Sequence, residues 1–353
     1  MQSTKEKLNS DNAGLYIHVP FCKNKCPYCN FYSKKITPLE AESYTNWVIN
    51  ELKKYRGATF DSVYFGGGTP SVLEPRLIAK IMMSARENFN ILPESEITIE
   101  ANPAKDLTEN FKIYANIGIN RLSLGMQSIV KEERLSLGRT AGEKEICHAI
   151  NTAKENGITN ISLDIMLGTP KETEAGLNET LKFIEGANVT HISAYMLKIE
   201  KGTPFFKLQN KLELPNEDFV ANMYLKVVSE LEAMGFLQYE ISNFAKRGFE
   251  SHHNTKYWTL APYLGIGPTA HSFWGGRRFY YDENCKITPD GTGGTKDEKI
   301  MLGLRLKRGI PLSLLEKDPT PYINLGLMEE KDGNISFTPR GFLVSNTVIG
   351  ELI

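Results

Sequence analysis

The sequence predicts an α/β protein built on a parallel β-sheet, with a smaller α+β unit behind it. Three observations carry that prediction. Six short apolar runs recur between residues 15 and 196. The five segments between them are each long enough for a crossover helix, the connection that parallel neighbours require. The texture then changes after residue 215: one helical segment is followed, from Gly235 to Tyr281, by a stretch rich in Gly, Pro and aromatic residues.

The strands are expected at residues 15–19, 62–65, 97–100, 121–124, 160–165 and 191–196. Each is rich in Ile, Val, Leu, Phe or Tyr and is bounded by Gly, Pro or Asn. Helices at 40–55, 76–88, 109–117, 143–156 and 174–185 fill the gaps. This rhythm fits an open doubly wound sheet or a partial barrel equally well. A helix at 216–234 follows, with Asn216, Glu217 and Asp218 suited to its start. The stretch 290–295, DGTGGT, reads as a flexible loop. After it come a helix at 297–307, a short helix near 312–316 and a hairpin within 327–338 centred on Asp332-Gly333. An amphipathic helix at 340–352 closes the chain. Helices around a hairpin describe a winged-helix-like C-terminal domain.

Of the 353 residues, 41% are hydrophobic and 24% charged, and the net charge is −1. That composition excludes a disordered chain. It offers no basic excess to neutralise phosphates, so no nucleic-acid partner is expected. The polar run over residues 1–14 has no apolar core for a signal peptide. No apolar stretch reaches the roughly 18–20 residues that span a bilayer. The expectation is a cytoplasmic protein that is not itself a membrane protein.

Of five cysteines, three fall in Cys22-Lys23-Asn24-Lys25-Cys26-Pro27-Tyr28-Cys29, directly after the first strand. This spacing is not a disulfide framework for a chain of this size. Three thiolates on one loop can hold three irons of a cubane cluster and leave the fourth iron open for chemistry. Structural zinc would take a fourth ligand. The nearest spare one is His18, and there is no second Cys pair. The other cysteines read as a packed thiol (Cys147) and an exposed one (Cys285). The charged run Lys131-Glu132-Glu133-Arg134 reads as a solvated helix face.

Distinctive residues also collect where the strands should end, the position of reactive groups in βα barrels. Gly66-Gly67-Gly68-Thr69-Pro70 follows the second strand, Glu100 ends the third, and Gln127, Arg139 and Asp164 come later. Consecutive glycines let a backbone approach a ligand closely.

The cysteine motif in this place resembles the signature of radical S-adenosylmethionine (SAM) enzymes. The resemblance implies a partial (β/α)6 barrel over residues 15–215. A 4Fe–4S cluster would sit on Cys22, Cys26 and Cys29, with SAM on the open iron. In that superfamily the reduced cluster cleaves SAM to a 5′-deoxyadenosyl radical. Tyr16, Tyr28, Gly67, Gly68, Thr69 and Glu100 would line the first SAM. Gln127, Arg139 and Asp164 would complete the pocket, with a second SAM as one use of it. A barrel extension and linker would occupy 216–295, and the C-terminal domain 296–353.

Longer stretches resemble one group, the coproporphyrinogen-oxidase-like radical SAM proteins. They include YIHVPFCKNKCPYCNFYS (16–33), VYFGGGTPS (63–71), NRLSLGMQS (120–128) and HNTKYW (253–258). One branch of the group decarboxylates coproporphyrinogen III without oxygen. The other is a haem chaperone branch. The oxidase carries a fourth cysteine where this chain has Phe31, and it has a longer N-terminal extension than the 21 residues before Cys22. Both features favour the chaperone branch. It implies haem as a third bound group, and as a partner a haem-accepting protein, a membrane-bound respiratory component. His253, Asn254, Tyr257 and Trp258 would be the haem contacts. The chain departs from the group at Thr140-Ala141-Gly142, where a His is usual, at Met166-Leu167-Gly168-Thr169-Pro170, and at Gly265–Ser272.

Overall fold

A computed structural model describes residues 13–103 and 107–353. Most of the expected polar tail, residues 1–12, lies outside the described residues. Ala13 and Gly14 open the first strand. Six parallel strands lie side by side in chain order: β1 (Ala13–Val19), β2 (Thr59–Gly67), β3 (Asn90–Ala101), β4 (Arg121–Gln127), β5 (Asn160–Leu167) and β6 (His191–Met196). A doubly wound sheet would reverse its order at a switch point. This one does not, so the architecture is the partial barrel. Its crossovers are α1 (Pro38–Leu52), α2 (Pro75–Asn88), α3 (Thr108–Asn116), α4 (Lys131–Ser136) with α5 (Glu143–Glu155), and α6 (Glu174–Ala187).

Strand residues alternate between two environments. Leu15, Ile17, Val63, Phe65, Ile97, Ile99, Leu122, Leu124, Ile161 and Leu163 are buried in the apolar core. The residues between them are Tyr16, His18, Tyr64, Glu100, Arg121, Ser123, Asp164 and His191. They meet one another across the strands and make a polar interior.

Both edges of the barrel are extended. β7 (Leu237–Gln238) and β8 (Asn243–Ala245) add antiparallel to β6. On the other edge β9 (Tyr263–Ile266) pairs parallel with β1 and continues antiparallel into β10 (His271–Trp274), β11 (Arg277–Tyr281) and β12 (Ile287–Thr292). The DGTGGT segment is therefore only half loop. Its first three residues belong to β12, an edge strand, where Pro and Gly are tolerated. Between these edges run α7 (Glu217–Ala233) and α8 (His252–Thr259).

The last segment holds α9 (Lys296–Gly303), a small sheet, a 3-10 turn at Leu312–Leu314, a short helix at Thr320–Asn324 and a helical C-terminus. α9 ends four residues before its expected limit, because the chain turns toward Gly309, at φ 63°, to enter β13 (Ile310–Pro311). β14 (Met328–Lys331) and β15 (Asn334–Phe337) form the expected hairpin. Its two-residue turn has φ 52° at Asp332 and 77° at Gly333, the left-handed pair a type I′ turn needs. The closing helix is split by Val344 (φ −116°) into α10 (Pro339–Leu343) and α11 (Ser345–Leu352).

The charged run 131–134 departs from the solvated face its pattern predicts. Glu133 and Arg134 in α4 are buried rather than solvated. Ser128 Oγ donates to Glu133 at 2.6 Å, and the Arg134 guanidinium donates to the Ile129 carbonyl. Tertiary packing against α6 puts that face inside.

Candidate cluster and SAM site

The loop after β1 carries Cys22, Cys26 and Cys29 at the C-terminal end of the barrel, all three free and half-buried. The backbone folds back on itself there, with Cys29 N–H donating to the Cys26 carbonyl at 3.2 Å. Burial, with Cys26 and Cys22 adding to it, raises the Cys29 thiol, and only Phe31 N–H and Lys25 offset them. Three thiols gathered on one short loop suit a cationic soft-metal centre, which stabilises thiolates. Among the described residues no three His, Cys, Asp or Glu side chains already stand at metal-coordinating distances. His18 is not a fourth ligand. Its Nε2 lies 3.3 Å from the Tyr32 carbonyl and so carries the proton, and its Nδ1 accepts from Tyr16 Oη at 3.0 Å. Burial lowers its pKa to about 4, so it stays neutral.

The Gly-rich turn after β2 docks on the cysteine loop. Gly68 N–H donates to the Val19 carbonyl at 2.8 Å, and Thr69 N–H to the Phe21 carbonyl at 2.7 Å. Cys22 Sγ stands 3.7 Å from Thr69 Oγ1. A Cβ on Gly68 would fall 2.5 Å from the Phe21 carbonyl oxygen, which is backbone and cannot swing away. Gly68→Ala is therefore expected to part the two loops. The expected cost is about 1–3 kcal/mol of stability and most of the SAM affinity. Thermal melting and SAM binding to the reconstituted protein check both.

Further hydrogen bonds tie this turn to the remaining residues. Asn102 Nδ2 donates to Thr69 Oγ1 at 3.2 Å, and Asn102 Oδ1 accepts from the Arg139 guanidinium. Arg139 also donates to Tyr28 Oη at 3.2 Å, which closes a circuit back to the cysteine loop. Gln127 joins at the end of β4 through a backbone at φ 69°, rare for a non-glycine residue. A Cβ on Gly125 would lie 2.9 Å from Asn102 Oδ1 and 3.0 Å from Gln127 Nε2, so Gln127, Asn102 and Arg139 converge there. Asn102 was missed in the sequence. Only its place just after Glu100 pointed to it.

Glu100 accepts from Tyr64 Oη at 2.8 Å and from Gly67 N–H at 3.2 Å. Burial, with Asp164 adding to it, pushes its pKa up to about 7. Asp164, also raised by burial, accepts from Ser123 Oγ at 3.1 and 3.2 Å. Two carboxyls facing one interior favour a cationic ligand. Without one, Glu100 binds its proton more tightly folded than unfolded. Its contribution to stability therefore falls as pH rises from about 4.5 to 7. Without ligand, Glu100→Gln is expected to match the wild type in melting temperature near pH 5 and to exceed it at pH 8.

The HNTKYW element lies elsewhere. α8 packs against the N-terminal half of the strands, below the cysteine loop. His253 is fully buried, with Nδ1 3.0 Å from Ser62 Oγ and Nε2 3.0 Å from Tyr257 Oη. A haem iron would reach this imidazole only if one of those bonds opened. Asn254, Tyr257 and Trp258 are half-buried.

Comparisons with known proteins agree with this geometry. Residues 16–184 match the Radical SAM superfamily model. A heme chaperone HemW of Bacillus subtilis (strain 168) is 32% identical over 96% of this chain and 98% of its own length. The HemW of Mycobacterium tuberculosis (strain ATCC 25618 / H37Rv) is 31% identical over 96% and 94%. The mouse mitochondrial radical S-adenosyl methionine domain-containing protein 1 is 35% identical over 82% of this chain and 64% of its own. Among solved structures, the coproporphyrinogen III oxidase HemN of Escherichia coli superposes with a TM-score of 0.83 at 22% identity, over 98% of this chain and 91% of that one. At that identity it supports the fold. With relatives above 30% identity along nearly its whole length, the chain belongs to the radical SAM superfamily and, within it, to the HemW family.

Proposed function

We propose that the chain is a haem chaperone that binds a 4Fe–4S cluster, SAM and haem, and passes haem to an acceptor protein. The observation that carries this reading is the end-to-end similarity to relatives named heme chaperones, in a chain with Phe31 where the oxidase branch has a fourth cysteine. Cys22, Cys26 and Cys29 would hold the cluster, whose open iron supplies a chelation point for the amino and carboxylate groups of SAM. Tyr16, Tyr28, Gly67, Gly68, Thr69 and Glu100 line the space beside it. Glu100 would take a cationic part of SAM, and Asn102 with Arg139 would hold the Gly-rich turn against the cysteine loop. Gln127, Arg139 and Asp164 would complete the pocket or accept a second SAM. No helix among the described residues is long and apolar enough to cross a membrane, so a membrane-bound acceptor would be met as a separate partner.

The test is anaerobic. The reconstituted protein is given SAM, a strong reductant and coproporphyrinogen III, and separately haemin followed by an apo-haemoprotein. The expected result is no protoporphyrinogen, together with haemin bound and then transferred. Repeated turnover to protoporphyrinogen would make the chain an oxidase despite Phe31. A haemin titration of His253→Ala then decides whether the α8 imidazole is a haem contact or a packing group.

A further inference from the structure

We propose that Ser162, His191 and Tyr239 are positioning residues for Asp164, acting through a buried hydrogen-bonded relay that joins the start of α8 to the SAM pocket. The inference rests on the reading of Asp164 as a SAM residue. The relay starts at Ser251, whose hydroxyl caps α8 by accepting from Asn254 N–H at 3.3 Å. Ser251 N–H donates to Tyr239 Oη at 3.2 Å. Tyr239 Oη lies 2.9 Å from His191 Nε2, and His191 Nδ1 lies 2.7 Å from Ser162 Oγ. Ser162 Oγ lies 3.4 Å from Asp164 Oδ1. Ser162 and His191 are both wholly buried.

The pattern of donors gives the relay a direction. Tyr239 Oη already accepts from Ser251, so its own proton is satisfied by donation to His191 Nε2. His191 then carries its proton on Nδ1 and donates to Ser162. That leaves the Ser162 proton to turn toward Asp164, or toward Ser193 Oγ at 3.3 Å. The other tautomer would aim two donors at Tyr239 Oη and leave the phenol proton without an acceptor among the described residues. A buried group left unpaired costs about 1–3 kcal/mol. Burial, and then the Arg121 charge, hold His191 well below its ordinary pKa, so it stays neutral.

Asp164 thus meets hydroxyls from three adjacent strands: Ser123 on β4, Ser162 on β5 and Ser193 on β6. Burial raises its pKa, and these hydroxyls with Arg121 pull it back. The other groups facing it are Tyr64 on β2, Glu100 on β3 and Tyr195 on β6. Loss of a relay member removes a donor that favours the carboxylate.

The test is SAM affinity against pH, measured by equilibrium dialysis on the reconstituted protein. The variants are Tyr239→Phe, His191→Gln, Ser162→Ala and Asp164→Asn. Tyr239→Phe removes one oxygen and serves if His191→Gln folds poorly. The relay variants are expected to bind SAM about three- to tenfold more weakly at neutral pH, the worth of one ordinary hydrogen bond, because each acts on the carboxylate through its neighbours. Their acidic limb of binding moves to higher pH, and affinity recovers at alkaline pH with iron content unchanged. Equal weakening at every pH, or no change, overturns the relay. An Asp164→Asn variant that binds SAM like the wild type overturns instead the reading of Asp164 on which the relay rests.

Discussion

Cys26→Ala is expected to strip the reconstituted protein of most of its iron and its SAM binding together. The loop offers three thiols and no substitute. His18 is locked between Tyr16 and the Tyr32 carbonyl, and Cys147 and Cys285 lie far along the chain, in α5 and beyond β11. Partners one bond removed from a metal are already worth about 10–100-fold in affinity, so loss of a direct ligand should exceed that. Iron analysis and visible absorption read the first loss and SAM dialysis the second, with Cys147→Ala as a control that changes neither. A Cys22/Cys26/Cys29→Ala triple variant that still held a full cluster would refute the assignment.

Glu96→Ala is expected to cost about 3–5 kcal/mol, the range for breaking a buried charged pair by removing one partner. Glu96 is buried on β3 and holds the start of α8. It accepts from Ser251 Oγ at 3.3 Å, His252 N–H at 3.1 Å and His253 N–H at 3.0 Å. It is also the ion partner of Arg121, at 3.8 Å, a guanidinium only 1% exposed. Arg121 Nε and Nη1 have no hydrogen-bond partner among the described residues, so Arg121 is already under-satisfied. Without Glu96 its charge would lose its largest carboxylate partner and keep only Asp164 and Glu100, whose own ionisation burial opposes. Chemical denaturation measures the loss. Glu96→Gln, which keeps an acceptor for α8, should recover part of it. Glu94→Ala, at an exposed position two residues earlier, should change stability by less than about 0.5 kcal/mol.

Much of the barrel was legible because its strands announce themselves locally. Six β-rich runs at crossover spacing gave the expected strands, and Asp332-Gly333 gave the hairpin, because a type I′ turn has few other solutions. The errors fall where packing overrides pattern. α4 reads as four charges in a row, yet Glu133 and Arg134 face the interior. The DGTGGT stretch reads as a loop, yet residues 290–292 are held in the sheet by β11. The single helix expected at 340–352 breaks at Val344.

By itself the sequence determined the kind of chemistry: three thiols at a spacing that puts them on one loop, a Gly-rich turn, and acidic residues at strand ends. Those are local properties of a chain, and residue type with spacing is enough to express them. Only the tertiary structure decided which polar residues act together. Asn102, Arg139 and Tyr28 are separated by long stretches of chain and meet because the loops that carry them gather at one rim of the barrel. It also decided that His253, conspicuous in a His- and aromatic-rich run, is buried with both nitrogens taken. Hydrogen bonding between distant residues is set by register and burial, and neither is written in the spacing of one segment.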